Sequence, residues 1–298
     1  MAVIAMTREM ATLGKDVAEG LAARLGLTIV HHELVEHDIA QRAGMPESEV
    51  HRFLEGETPL LQKWKIDSKR LSRYTAQEVL ELAVKGKTLI RGWGATYLLR
   101  SVPHAICVRI CAPMSFRTQV LMKRLGITDP RVAQREIERS DAAHNNTMRR
   151  MFGIDWLGSG LYTLALNTAR VSLDDCVEQI ARLAESPAFR ETGPSKRALL
   201  DQIVLARVRD ALDRRFGSGT KALGIEAHVS NGHVTLTGAM SDERPMVECV
   251  RLARDVAGVP ASKARSLLSR FVRQNDRRLD ACLYAGADQR RSPRPTPR

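Results

Sequence analysis

The residues best suited to chemistry lie near the start of the chain, in Glu9-Met10-Ala11-Thr12-Leu13-Gly14-Lys15-Asp16. Gly-Lys between an apolar strand and a helix is a setting in which backbone N–H groups and the helix dipole hold phosphate, while the lysine reaches terminal oxygens. Against the pattern GxxxxGK[ST], Glu9 replaces the first glycine and Asp16 the hydroxyl residue that would ligate Mg²⁺. On that pattern alone, an ordinary strand-to-helix turn is the simpler reading. Arg131, Arg135 and Arg139 recur at i, i+4 and i+8, so they share one helical face, and Arg149 and Arg150 follow. Such a stripe could neutralise anionic charge; on spacing alone a solvated face relieved by Asp129, Glu136, Glu138 and Asp141 is the simpler reading. His31, His32 and His37 have no carboxylate–histidine spacing that closes a metal site, so no metal centre is expected. Cys107, Cys111, Cys176, Cys249 and Cys282 form no CxxC pair, and no Gly-x-Ser-x-Gly elbow or Cys/His pair indicates nucleophilic catalysis. Trp64, Trp93 and Trp156 are too dispersed for a base-stacking platform.

The elements that must position these residues alternate. Val3-Ile4-Ala5 reads as a buried strand, and Val17, Ala18, Leu21, Ala22 and Leu25 recur at helical spacing after it. Gly26 ends that helix, and Leu27–Val30 is a second strand. Thr75-Ala76-Gln77-Glu78 reads as a capping box opening a helix with Val79, Leu80, Leu82 and Ala83. Thr88–Arg91 and Ala105–Ile110 are β-type runs around a helical stretch. Met114–Leu125 and Pro130–Met151 read as helices, Leu161–Leu166 as an apolar run, and Ser172 caps a last helix. Alternation of this kind predicts an α/β domain, a parallel sheet covered on both faces, over residues 1–187. A polar linker, 188–197, follows. Then a helix, Leu199–Phe216, precedes two alternating runs around Asn231-Gly232. Asn-Gly there predicts a two-residue hairpin, because both turn positions need positive φ. The register then sets Val229 opposite Val234 and Ala227 opposite Leu236. A helix from Asp242 to Val256 completes a smaller α+β unit, 198–270, in which Ala261–Arg270 reads as a basic helix.

Composition narrows the class. Of 298 residues, 44% are hydrophobic, enough for a buried core, and no apolar run is long enough to span a membrane. The start lacks a basic leader and reaches charge too early for a signal peptide, so a reducing cytoplasm is the expected compartment. The net charge of +12 is uneven: 1–187 carry 25 basic and 22 acidic side chains, 188–298 carry 21 and 12. Residues 271–298 end in a Pro/Arg tail expected to be disordered. The excess permits contact with nucleic acid or an anionic membrane.

A resemblance over about residues 2–186 decides between these readings. Thr7-Arg8-Glu9 with Gly14-Lys15-Asp16-Val17 resembles the opening of the cytidylate-kinase-like family, where a Ser-Arg-Glu triplet precedes a glycine-rich loop. Leu89-Ile90-Arg91-Gly92-Trp93-Gly94-Ala95, Val108–Pro113, Ser140-Asp141, Phe152-Gly153-Ile154-Asp155-Trp156 and Leu166-Asn167-Thr168 resemble later segments in the same order. The resemblance implies a P-loop nucleoside-monophosphate-kinase fold, a three-layer parallel-sheet domain, with ATP and Mg²⁺ as expected cofactors and a pyrimidine nucleotide as presumed acceptor. It implies that Thr12, Gly14, Lys15 and Asp16 cradle phosphates and that Lys15, Arg135 and Arg139 are catalytic cations, with Arg131 beside them. Asn167, Thr168 and Arg170 would hold the adenine, and Arg91 and Asp141 would face the acceptor.

Departures from the family pattern fall in the loop and lid. Ala11 and Leu13 replace two loop glycines, Trp93 an arginine, and His144 and Thr147 an Arg and a Tyr. An active kinase therefore competes with a catalytically degraded fold that binds nucleotide or regulates, and with a basic binder of anionic lipid or nucleic acid. The second unit resembles a BON domain through Val229-Ser230-Asn231-Gly232-His233-Val234-Thr235-Leu236-Thr237-Gly238, which implies a binding or regulatory module for a phospholipid surface or a protein partner. The overall expectation is a cytoplasmic bacterial protein.

Overall fold

The computed structural model describes residues 2–30, 32–54, 68–92, 94–217, 224–239, 243–256, 268–272 and 281–282. It divides into two compact units, Met1–Ile203 and Val204–Arg298.

In the first unit, β1 (Val3–Arg8) leads through the loop into α1 (Gly14–Leu25), which stops at Gly26 with φ 63°, the left-handed cap glycine adopts at least cost. β2 (Thr28–Val30), α2 (His32–Ala43), α3 (Glu47–Leu54), α4 (Ser68–Lys85), β3 (Thr88–Arg91), α5 (Ala95–Leu99) and β4 (Ala105–Cys111) follow. α6 (Met114–Leu125), α7 (Pro130–Phe152), β5 (Leu164–Asn167) and α8 (Leu173–Glu185) complete the unit's regular core. The strands form one sheet in the order β2-β3-β1-β4-β5, every pair parallel. Parallel neighbours need crossover helices, so the alternation legible in the sequence becomes a three-layer α/β fold.

One face of the sheet is apolar except at its C-terminal edge, where Arg8 and Arg91 lie. Ile4, Met6, Leu89, Ile106, Val108, Ile110 and Leu166 pack against Val17, Ala18 and Leu21 of α1 and Cys176, Ile180 and Ala181 of α8. The opposite face of β4 carries Cys107, Arg109 and Cys111, so charge on this strand is confined to one side. α8 begins as its sequence indicates, with Ser172 Oγ accepting from the Asp175 amide at 3.1 Å. α4 does not: it is already helical at Ser68, and Thr75 lies buried in its interior rather than at a cap. Helical spacing of Leu71 and Tyr74 onto the core extends the element past the capping signal.

The 188–197 segment holds a 3₁₀ turn, Pro187–Phe189, and the first residues of α9 (Gly193–Phe216). That helix starts six residues before the expected Leu199, with Thr192 and Ser195 exchanging side-chain and backbone bonds of 2.8 and 3.2 Å around its first turn.

In the second unit, β6 (Glu226–Ser230) and β7 (His233–Ala239) pair antiparallel with Val229 opposite Val234 and Ala227 opposite Leu236, as expected. Asn231 and Gly232 have φ 52° and 78°, the geometry a two-residue turn requires. The inward residues meet Val208 and Leu212 of α9 and Met246, Cys249 and Ala253 of α10 (Glu243–Val256). The basic helix expected over Ala261–Arg270 is corrected in its last part: β8 (Leu268–Val272) lies parallel to β7. An open β7 edge supplies hydrogen bonds that an isolated short helix cannot match. β9 (Ala281–Cys282) pairs with β8, inside the stretch expected to be a disordered tail; the remainder of that tail lies outside the described residues. No helix among the described residues is long and apolar enough to cross a membrane.

Candidate functional site

The phosphate-loop sequence sits at the C-terminal end of β1, in the middle of the sheet, where parallel α/β folds open their ligand crevices. Ala11 and Leu13 both occupy the left-handed region, at φ 60° and 59°. The substitution of these two positions has therefore kept a glycine-type backbone path. Leu13 N-caps α1, and the first helical bond runs from the Val17 amide to the Leu13 carbonyl at 3.1 Å. The amides of Gly14, Lys15 and Asp16 lie ahead of that ladder, as donors for an anion. Gly14 is set by packing: a Cβ there would stand 2.8 Å from the Cβ of Arg8. Lys15 and Asp16 are exposed in the first turn, and Lys15 Nζ lies 3.6 Å from Glu19 Oε1. A surface pair of this kind is weak enough to exchange for phosphate. The cradle, the lysine and the carboxylate of Asp16 are a donor set that suits a phosphate chain with Mg²⁺.

Beneath the loop lies a charged network that spacing did not reveal. Glu9 bonds Arg109 of β4 and accepts from the Ala112 amide at 3.3 Å, with Arg117 of α6 at 3.5 Å. Arg117 donates from Nε to the Met10 carbonyl at 2.7 Å and from Nη2 to both oxygens of Asp141 at 2.8 and 2.7 Å. Burial pushes the Asp141 carboxyl above its ordinary value, while the Arg117 bond pulls it down. Arg109 also lies over the rings of Trp156 and Tyr162, 5.3 and 5.8 Å from their centroids. Burial pushes the Tyr162 hydroxyl to about 12, and that hydroxyl donates to the Trp156 carbonyl. A 340 Å³ cavity opens over Glu9, Arg109, Cys111, Ser159, Tyr162 and Ala165. Glu9 and Arg109 were visible as residues of matched segments; Arg117 reads in sequence as one more basic residue on an amphipathic helix and carries no signal.

The structure gathers some expected residues and separates others. Thr12 is fully buried and bonds the Glu9 carbonyl through Oγ1 at 2.8 Å. Thr168 Oγ1 donates to the Thr12 carbonyl at 2.7 Å, so the end of β5 touches the loop itself. Asn167 Oδ1 turns back to accept from the Ala169 amide at 3.0 Å, and Arg170 is exposed beside it. Arg131, Arg135 and Arg139 line the exposed side of α7, with Arg139 4.0 Å from Glu136. Arg91 ends β3 with a buried Nε that has no hydrogen-bond partner among the described residues. Asp141 is held by Arg117, although a carboxylate pair offers more lone pairs than one guanidinium nitrogen uses. His144, in the lid position of an arginine, stacks edge-on against Trp156 with centroids 4.4 Å apart. Trp93 lies outside the described residues. His37 is paired with Glu47 at 2.6 Å, and His31 lies outside the described residues.

Fold and loop together define a parallel α/β domain built around a phosphate loop. The sequence profile of the Cytidylate kinase-like family matches residues 3–170, more than half of the chain, and the chain belongs to that family. It is 26% identical over 181 residues to the cytidylate kinase of Pyrobaculum aerophilum, a match covering 59% of this chain and 89% of that protein. The cytidylate kinase of Pyrobaculum neutrophilum is 23% identical over 180 residues, with coverages of 59% and 89%. Among solved structures, an uncharacterised protein from Eubacterium ventriosum superposes with a TM-score of 0.47 at 19% identity, covering 62% of this chain and 98% of that chain. Shikimate kinase from Acinetobacter baumannii, in complex with shikimate, gives 0.35 at 15% identity, with coverages of 64% and 96%.

Proposed function

We propose that the first unit transfers phosphate from ATP to a nucleotide, with Lys15 as the loop cation. The observation that carries this reading is the backbone of Ala11–Asp16: two left-handed residues and a first helical turn present consecutive amides beside an exposed lysine. Non-glycine residues avoid that path unless something requires it. Bound ATP with Mg²⁺ supplies the transferable phosphoryl group. The chain's part is positioning and neutralisation, which dominate such transfers. Thr12, Gly14, Lys15 and Asp16 hold the phosphates. Arg131, Arg135 and Arg139 approach from the exposed face of α7, the latter two meeting the charge that spreads over the equatorial oxygens. Asn167, Thr168 and Arg170 border the adenine, and Arg91 and Asp141 serve the acceptor side. The second unit acts as a BON-like binding module for a phospholipid surface or a protein partner.

The test is ADP formation by the purified full chain with Mg-ATP across a panel of nucleoside monophosphates, with Lys15→Ala as control. Acceptor-dependent turnover that disappears in the variant supports the reading and names the acceptor. A second reading, nucleotide binding without turnover, is favoured by the Leu13 side chain at the loop. Saturable ATP binding with no turnover above the control would select it.

A further inference from the structure

We propose that Thr168 and Arg117 are positioning residues that hold a glycine-poor phosphate loop in its ligand-binding path. The inference rests on the reading of Glu9–Asp16 as a phosphate site and concerns how this chain keeps that site formed. A non-glycine residue in the left-handed region is strained, and two of them flank Thr12. Such conformations persist only where the surroundings over-determine them.

Two hydrogen bonds fall where they are needed. The φ angle of a residue is set by the peptide plane before it, whose carbonyl belongs to the preceding residue. The plane before Ala11 carries the Met10 carbonyl, which accepts from Arg117 Nε at 2.7 Å. The plane before Leu13 carries the Thr12 carbonyl, which accepts from Thr168 Oγ1 at 2.7 Å. Each strained residue thus has its preceding plane pinned by a side chain from elsewhere in the fold. Both anchors are themselves tied down. The Thr168 amide donates to the Cys111 carbonyl at 3.1 Å, and Arg117 is buried with Asp141 on its far side. Thr12 Oγ1 closes the loop internally onto the Glu9 carbonyl at 2.8 Å. Ala11 has a further reason to be alanine: its methyl is buried with Leu121, Ala133 and Ile137 between α6 and α7. With carbonyls 10 and 12 held by these side chains, the path that leads to the Gly14, Lys15 and Asp16 amides is fixed.

The experiment compares Thr168→Val, which keeps shape and removes the hydroxyl, with Thr168→Ser, which keeps the hydroxyl, in the full chain. The readouts are amide hydrogen exchange over residues 10–16 and calorimetric affinity for Mg-ATP. Thr168→Val speeds local exchange without changing α8 and weakens Mg-ATP binding about tenfold, the worth of one buried hydrogen bond. Thr168→Ser stays close to the wild type. Adding Leu13→Gly to Thr168→Val restores most of the affinity, because glycine occupies the left-handed region without the bond. A threonine that merely touched the nucleotide would not be rescued in this way. Unchanged exchange and affinity in Thr168→Val, or no recovery with Leu13→Gly, overturns the proposal. If the wild type binds no Mg-ATP, the phosphate-site reading fails, and exchange over 10–16 alone then upholds or overturns the clamp.

Discussion

Arg117 of α6 donates from a single nitrogen, Nη2, to both carboxylate oxygens of Asp141 on α7, at 2.8 and 2.7 Å. This pair joins the helix bearing the arginine stripe to the helix whose arginine grips the Met10 carbonyl, so loop and stripe share one buried cation. Removing that cation leaves Glu9 with Arg109 as its remaining cation, Asp141 without its guanidinium and the Met10 carbonyl without its donor. Arg117→Met should lower stability by about 3–5 kcal/mol, the range for breaking a buried ion pair on one side. Asp141→Asn, at the more exposed end, should cost about 1 kcal/mol. Denaturant unfolding of the two variants checks the order; equal losses would show that the two ends of the pair are not distinguished as argued.

Two glycines of the first unit are required for different reasons. At Gly94 the φ is 70° and a Cβ would come within 2.5 Å of the Phe152 ring, so Gly94→Ala should destabilise by about 2–4 kcal/mol. At Gly14 the backbone is unstrained, but a Cβ would meet Arg8 Cβ at 2.8 Å, displacing the loop from β1. Gly14→Ala should therefore lower Mg-ATP affinity more than it lowers thermal stability. A thermal melt and a binding titration on both variants separate the two effects.

His37 supplies a pH dependence. Its hydrogen bond to Glu47, aided by the charge of Glu47, raises it above the ordinary 6.5, with Asp38 adding to the effect and Gln41 at the other ring nitrogen. A raised folded value means that the stabilisation is complete below the unfolded value and is lost as pH rises through the folded one. The α2–α3 contact should thus weaken from about pH 6.5 upward. An NMR titration of His37 should give a midpoint above 6.5 that falls toward it in Glu47→Gln. A midpoint unmoved by that substitution would remove the link.

The hairpin of the second unit rests on its turn. Gly232 at φ 78° and Asn231 at 52° set the register of β6 and β7. Gly232→Ala should cost about 1–2 kcal/mol, and hydrogen exchange in the full chain should show faster exchange of the β6 and β7 amides while α8 is unchanged.

Much of this architecture is written locally. Hydrophobic period identified β1, α1, β4 and α8, because each buries one face and its side chains repeat with the element's own geometry. Asn231-Gly232 set a register that the structure reproduces residue by residue, since a two-residue turn leaves the strands no other alignment. Gly14-Lys15 after an apolar strand marked the loop, and the order of matched segments marked the family. What the chain did not disclose lies in contacts distant in sequence. Arg117 looks like any surface arginine until folding places it between Met10 and Asp141, and Thr168 reads as part of a turn until β5 carries its hydroxyl to Thr12. The left-handed path at Ala11 and Leu13 runs against local preference, so no local rule would assign it. Tertiary hydrogen bonds decided it, because they hold the preceding peptide planes against the torsional preference of the residues that follow.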